Sequence, residues 1–534
     1  MLIFRTILHK NRQFAAYLPS TQRITARYEL AMTQGIFHTT CPSCGGPVHS
    51  HSASAKTLVC PYCRSLLIRD GASVSDSGDD SAPFEDYSPL QIGTTGHDQG
   101  QAFTIVGRLQ ARYDAGVWNE WYLFYNDGSS GWLSESGDQY VLTRPATSNA
   151  TLPRFADIRA GESRLTVDGN IYLAADVRDI TLERANAEGE LPYPFSGTRH
   201  NRVADYRCES HFLTLDYGED PPEIFIGRGV ALAGLALANT RSDAQILDTA
   251  GALKGSRASG NCPHCGAPVD WLHGLTPTII CPSCGSDLES NSLIASARTT
   301  SEWQQKIAER HSLPLGAEAD IDGNKYTLIG LVYKEEIGED SGWTEYLLYH
   351  PQQGFLWLVE TDDGEWSVSQ TLNDWPPLDA SGAPCGMGKL YDYRSRVRHA
   401  AGAFYWHIKK GDELAHHDYD AGKREKLSAE QNAHELNWSR SIPTSRAQIE
   451  TWFGRKLADI ETRFGREFAD NGTDNNLQSG FIILVIIYFI INIPAWLGMS
   501  GDTLAASIVM SGFIVNALYD IGKKSGDEDE EDDD

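Results

Sequence analysis

Phe103-Thr104-Ile105-Val106-Gly107, followed by Trp118, Glu120, Trp132, Leu133 and Glu135, returns later in the chain as Tyr326-Thr327-Leu328-Ile329-Gly330, followed by Trp343, Glu345, Trp357, Leu358 and Glu360. The offset moves only from 223 to 225, so the chain is a tandem duplication with a two-residue insertion. Around the first copy, residues 101–108, 120–125, 130–133 and 139–142 are short runs rich in aromatic and β-branched side chains. Turn signals such as Asn126-Asp127-Gly128 and Asp168-Gly169-Asn170 separate such runs, and Asp322-Gly323-Asn324 does the same in the second copy. Short strands at this spacing predict an all-β module in each half, either a sandwich or an open barrel. The matched tryptophans either line a ligand site present in both copies or fill two β cores. Packing is the simpler reading, because these rings bury large areas.

The duplication reaches upstream into the cysteines. Cys41, Cys44, Cys60 and Cys63 stand in CPSCGGP and CPYC, and Cys262, Cys265, Cys281 and Cys284 in CPHCGAP and CPSCG, with two residues inside each pair and 15 between pairs. This is zinc-ribbon spacing, and four thiolates complete a tetrahedral shell, so two structural Zn2+ sites are expected. Two disulfides per set would need an oxidising compartment, and iron is the remaining alternative. Cys208 and Cys385 read as small buried hydrophobes.

With 45 Lys plus Arg against 72 Asp plus Glu, the 534-residue chain carries a formal net charge of −27. Residues 262–284 hold no Lys or Arg and residues 41–63 only Lys56, so the donors that phosphate contacts need are missing and nucleic acid is excluded as a partner. Phosphate-binding, dinucleotide, metalloprotease and serine-hydrolase signatures are all missing from the sequence. His407, His416, His417 and Asp418 form the densest polar cluster outside the ribbons, and a hydrolase- or transferase-like site there is one alternative function.

The C-terminal part reads differently. Ser301–Arg310 has a polar helical pattern, and 445–470 places Ile449, Trp452, Phe453, Leu457, Ile460, Phe464 and Phe468 on one stripe, for docking on module 2 or on a membrane surface. Gly480–Met499 and Thr503–Tyr519 are uncharged, are joined by Ser500-Gly501-Asp502, and read as a transmembrane helical hairpin. Arg455, Lys456, Arg463, Arg466, Lys523 and Lys524 flank it, which places both termini in the cytoplasm of an inner membrane. Asp527–Asp534 is wholly acidic and reads as a solvated tail. Residues 1–31 are basic and read as a mobile extension or an upstream start before Met32. The layout is an N-terminal extension (1–37), ribbon 1 (38–70), linker (71–89), β module 1 (90–238), linker (239–260), ribbon 2 (261–290), helical connector (291–312), β module 2 (313–444), juxtamembrane amphipathic helix (445–470), hairpin (480–519) and acidic tail (525–534).

The CPxCG ribbons, the stretch Ala187-Glu188-Gly189-Glu190-Leu191-Pro192, and Phe404-Tyr405-Trp406-His407-Ile408 with Gly411-Asp412 resemble a bacterial β-rich domain-of-unknown-function family, DUF4178, in tandem copies. The resemblance covers most of residues 38–440. It implies a link to membrane-stress and polyamine-associated systems and brings no catalytic residues. Module 2 has no Glu-Gly-Glu-Leu-Pro stretch and module 1 no Trp406–Asp412 segment, which points to halves that are not equivalent. The leading reading is a membrane-anchored, cytoplasm-facing, non-enzymatic scaffold or regulator that docks a membrane complex or a cytoplasmic protein. A sensor that binds a small cationic metabolite in the acidic, aromatic-rich modules is the other alternative.

Overall fold

Asp168 and Gly169 take φ of 50° and 83°, and Asp322 and Gly323 take 53° and 81°. Two successive positive values suit the right-handed twist of a hairpin, and Asp-Gly tolerates them. These turns fold Arg164–Val167 onto Asn170–Leu191 and Glu318–Ile321 onto Asn324–Glu336. The structure is a computed structural model that describes residues 37–81, 87–113, 116–194, 199–289 and 311–457.

Each β module is a closed antiparallel barrel. In the first, hydrogen-bonded neighbours run Gln101–Tyr113, Gly116–Tyr125, Ser130–Ser136, Gln139–Ala146, Glu223–Val230, His211–Asp216, Arg199–Cys208 and Asn170–Leu191, and the last of these eight pairs back with the first. In the second the order is Asn324–Glu336, Gly342–His350, Gly354–Thr361, Trp366–Thr371, Leu436–Thr444, Glu425–Gln431, Glu413–Gly422 and Gly388–Phe404, again closed on the first strand. Closure demands close backbone approach. A Cβ on Gly107 would lie 1.9 Å from the Glu190 carbonyl oxygen, and one on Gly402 (φ +94°) 2.2 Å from that of Ile329.

The alternation along the strands puts large apolar clusters on the outer faces of the barrels, while smaller ones lie on the inner faces, Leu109, Ala111 and Ile180 in barrel 1 and Val332, Leu347 and Val397 in barrel 2. In barrel 1, Phe103, Trp121, Leu123, Leu133 and Leu142 pack outward against Leu90 and Leu235, while Ala204, Tyr206, Leu213 and Leu215 pack against Ile158 and Ala160. In barrel 2, Tyr346, Leu348, Leu356, Leu358 and Trp366 pack outward against Leu313, Ile449 and Leu457. The barrels share a further core, in which Leu173 and Ala175 meet Trp375, Leu436 and Trp438, and Arg178 ties to Glu435 at 2.9 Å. With much of the apolar packing on the outer faces, the interiors combine these inner apolar clusters with polar side chains around a hollow, as eight strands allow.

The ribbons continue the barrel sheets. Thr57 and Leu58 pair with Leu191 and Glu190, and Thr278, Ile279 and Ile280 pair with Phe404, Ala403 and Gly402. Glu190 also accepts from Ser50 Oγ at 2.5 Å and from the amide of His51 at 2.9 Å. Glu188-Gly189-Glu190-Leu191 and Ala401-Gly402-Ala403-Phe404 thus do the same job in the two halves. The halves are equivalent here, and glycine is the part of the motif that geometry requires.

Other expectations are corrected. Among the described residues no helix is long and apolar enough to cross a membrane, which overturns the transmembrane hairpin and the inner-membrane location built on it; residues 480–519 lie outside the described residues. The amphipathic helix is present as Arg446–Phe453, capped by Ser445 and ended by Gly454 at φ 59°; residues 458–470 lie outside the described residues. Its Ile449 is buried in the outer core of barrel 2, so this face docks on the barrel rather than on a membrane. Segments read as linkers hold regular structure: Ser73–Asp80 pairs with Ser65–Asp70, and Asp243–Ala250 is a helix with a Ser242/Gln245 capping box. The acidic edge strand lacked the apolar alternation that marks a strand in sequence. The helical pattern at 301–310, residues 1–36 and the acidic tail lie outside the described residues.

Candidate functional site

The Cys-Pro-x-Cys turns bring each set of four thiols together, all Sγ within 4.8 Å of one another. The shortest separations are 3.7 Å for Cys41–Cys63 and Cys44–Cys60, and 3.8 Å for Cys262–Cys284 and Cys265–Cys281. A disulfide needs about 2.05 Å. Four sulfurs bonded tetrahedrally at about 2.3 Å to one ion stand about 3.8 Å apart. The donor sets therefore have metal-shell spacing, and each cluster could hold a metal ion. Three of the four turns end on a glycine at positive φ, Gly45, Gly266 and Gly285, whereas the fourth places Arg64 at φ 63°. Arg64→Gly should therefore stabilise ribbon 1 by about 1 kcal/mol, measurable by chemical denaturation.

Inside the barrels lies a cavity of about 2280 Å³ lined by the inner faces of both. In barrel 1 the strand Gly116–Tyr125 presents Trp118, Glu120 and Tyr122 to it, and the strand Ser130–Ser136 presents Trp132 and Ser134. Trp132 stacks with Tyr193, their centroids 6.2 Å apart. The repeated Trp-x-Glu and Trp-Leu-x-Glu signatures thus divide by face. Their tryptophans and Glu120 or Glu345 line the cavity, whereas Glu135 and Glu360 bond into the outer shell, Glu135 to Trp121 Nε1 at 3.0 Å and Lys254 at 2.9 Å, Glu360 to Tyr346 at 2.7 Å. Trp118 and Trp132 line the cavity and also pack against buried Leu109, Ala111 and Ile180.

The inner wall of barrel 1 gathers carboxylates. Glu120 accepts from Trp118 Nε1 at 2.5 Å and Ser134 Oγ at 2.8 Å; Asp205 accepts from Thr214 at 2.7 Å and Asp216 from Asn201 at 2.6 Å. Burial, with added repulsion from Asp205 and Asp216, pushes the Glu120 carboxyl up to about 7 against its two hydrogen bonds. Burial pushes Asp205 up to about 6, although Thr214, Arg207 and Arg178 favour its charge. Among the described residues no lysine or arginine forms an ion pair with Glu120.

Barrel 2 carries the same wall, but neutralised. Glu345 accepts from Trp343 Nε1 at 2.8 Å and pairs with Lys334 Nζ at 2.9 Å, and Lys334 also reaches Glu430 at 3.6 Å. Burial opposes the Lys334 charge, but the carboxylates of Glu345 and Glu430 outweigh it and hold the amine above its ordinary range. Asp418 pairs with Lys426 at 2.7 Å.

Of the four residues considered for catalysis, His407 and His416 line the cavity and His417 and Asp418 do not. His416 is buried, bonds Ser395 at 2.7 Å and stacks on Tyr393 at 4.7 Å; burial and the Lys334 cation push it down to about 3. His417 points to the other face and pairs with Asp392 at 2.5 Å, and His407 lies 3.7 Å from Asp287 of ribbon 2. Ser395 is buried behind the wall and does not line the cavity, whereas His416 does.

The inner acids were missed from sequence, yet they carry a signal. Asp205-Tyr206 returns as Asp418-Tyr419, and Leu213-Thr214-Leu215-Asp216 as Leu427-Ser428-Ala429-Glu430, at offsets of 213 and 214. The register agrees: Asp205 faces Thr214 as Asp418 faces Ser428, and Val203 faces Asp216 as His416 faces Glu430.

Two hollow eight-stranded barrels, each extended by a four-cysteine ribbon and each walled by the same acids and tryptophans, define a tandem β-barrel protein. The chain belongs to the DUF4178 family: the family model described as "Domain of unknown function (DUF4178)" matches residues 91–231 and 314–446, together more than half of the chain. No curated protein and no solved structure matches it.

Proposed function

We propose that barrel 1 binds a small organic cation, making the chain a ligand-binding protein, and that the two four-cysteine clusters hold structural zinc. The observation that carries the reading is Glu120. It lines a hollow barrel within electrostatic reach of Asp205 and Asp216, held by the indole N–H of Trp118, without an ion-pair partner among the described residues. Clustered carboxylates repel one another, and a cation between them relieves that repulsion while the ring faces attract it. The ribbons support the barrels by extending their sheets.

Calorimetric titration with spermidine at fixed ionic strength tests this. Saturable heat that Glu120→Gln removes is expected; heat that merely follows salt, alike in both proteins, would leave only electrostatic attraction. The pH dependence is also set. Glu120 near 7 and Asp205 near 6 ionise between pH 5 and 8, so affinity should rise at least tenfold across that range. An acid whose folded pKa is raised stabilises the fold below its unfolded pKa and loses that contribution as pH rises through the folded one. The ligand-free protein should therefore melt lower at pH 8 than at pH 5, and saturating cation should restore it.

A further inference from the structure

We infer that barrel 2 is a self-occupied copy of the ligand site, with Lys334 in the place of the ligand, and that barrel 1 accordingly takes a primary alkylammonium ion. The inference rests on the cation reading of barrel 1 and specifies its ligand.

Lys334 lies directly across from Trp343, and Val332 across from Glu345; in barrel 1, Ala111 lies directly across from Trp118, and Leu109 across from Glu120. Ala111 thus occupies the position of Lys334, and both line the cavity. The carboxylates around each position match, although His416 in barrel 2 stands where barrel 1 has Val203. Trp343 orients Glu345 as Trp118 orients Glu120, each through its indole N–H, and Glu430 holds the place of Asp216. In barrel 2 the acceptor is filled by Lys334 Nζ, which donates to Glu345 at 2.9 Å and lies 3.6 Å from Glu430. In barrel 1 Ala111, packed beside Leu109 and Ile180, supplies no amine to this acceptor. Asp216 accepts from Asn201 at 2.6 Å and the amide of Gly218 at 2.7 Å, while Glu120 has no ion-pair partner among the described residues. The sister copy therefore records what the acceptor holds: an –NH3+ on a flexible aliphatic stem of four methylenes. Three N–H donors suit two carboxylates set apart, whereas a quaternary ammonium offers none.

The probe is n-butylammonium, the lysine side chain as a free ion, with tetramethylammonium as the control, titrated into the full chain. Wild type should bind n-butylammonium at least tenfold more tightly than tetramethylammonium. Ala111→Lys should abolish that site and raise the melting temperature, since it supplies the missing amine in place. In a Glu120→Gln background, where barrel 1 is silent, Lys334→Ala should create a new n-butylammonium site. If Lys334→Ala proves too unstable to titrate, Ala111→Lys decides alone. Undiminished binding by Ala111→Lys, or equal affinity for the two ions, would overturn the lysine analogy while leaving a cation site in barrel 1. No binding of either ion by wild type, together with a new site in Glu120→Gln/Lys334→Ala, would instead overturn the reading of barrel 1 and uphold the self-occupied copy. A folded Glu120→Gln/Lys334→Ala chain that takes up no n-butylammonium overturns the inference.

Discussion

A chain in which Cys262 and Cys265 are both serine should lose half of its bound metal and lose the order of ribbon 2 together with part of barrel 2. The ribbon has few other means of support. Its core is Val269, Ile279 and Leu288 around Cys262 and Cys281, too small to hold itself, so a metal held by the four thiolates would contribute most of its folding free energy, about 10 kcal/mol. The loss spreads because Ala403 of the barrel strand Gly388–Phe404 belongs to the same core, and because Thr278, Ile279 and Ile280 extend the barrel sheet at Phe404, Ala403 and Gly402. Metal analysis, limited proteolysis and thermal melting read the three parts of this expectation. The cut sites should fall near 260–289 and around 404, with ribbon 1 and its four thiols intact. Unchanged metal content with unchanged protease resistance would sink both the metal assignment and the supporting role. Adding a strong chelator to the wild-type chain should give the same proteolytic pattern in both halves.

How much of this was legible beforehand depends on what kind of signal each feature leaves. Cysteine pairs and Asp-Gly turns act over a few residues, so spacing alone marks them, and Asp168-Gly169 and Asp322-Gly323 make the turns that their composition demands. The repeat of Trp118-x-Glu120 in Trp343-x-Glu345 was visible, but the face each residue takes depends on register in a sheet closed by Gly107 and Gly402, pairings more than 70 residues apart in sequence. Whether such a sheet closes into a barrel is a long-range question that alternation does not answer. The division of apolar packing between the faces misled most: the larger clusters are on the outer face, and the inner face mixes Leu109, Ala111, Ile180 and Trp118 with Glu120, Asp205 and Asp216. Asp205 and Asp418 sit in otherwise dissimilar stretches, so their equivalence became plain only once both were seen opposite a hydroxyl residue. Hydropathy at 480–519 suggested a membrane span, yet the described part of the preceding helix buries Ile449 against barrel 2, a contact that an apolar stripe cannot distinguish from a lipid surface.

The same substitution at equivalent positions of the two barrels should have opposite effects on stability. Glu345→Gln in barrel 2 removes the closest counter-charge of Lys334 and leaves a buried ammonium with only Glu430, 3.6 Å away. Breaking a buried pair from one side strands the other charge, and a loss of about 3 kcal/mol is expected. Replacing the set together, as Lys334→Met/Glu345→Gln/Glu430→Gln, should recover most of that loss, because no charge is then left without its partner. Glu120→Gln in barrel 1 has no cation to strand. Its carboxyl, raised from 4.5 to about 7 by burial, must ionise at an energetic cost above neutral pH, and the amide removes that requirement while keeping an acceptor for Trp118. Glu120→Gln should therefore gain stability at pH 8, by no more than about 3 kcal/mol, and gain nothing at pH 4. Denaturant unfolding of the two single variants at both pH values measures the contrast. A loss in barrel 1 of the same size and sign as in barrel 2 would mean that Glu120 already has a cation of its own, and the open acceptor in barrel 1 would no longer be available to a ligand. A gain confined to high pH, accompanied by loss of cation binding, is the signature of a carboxylate held ready for a charge that the fold itself does not supply.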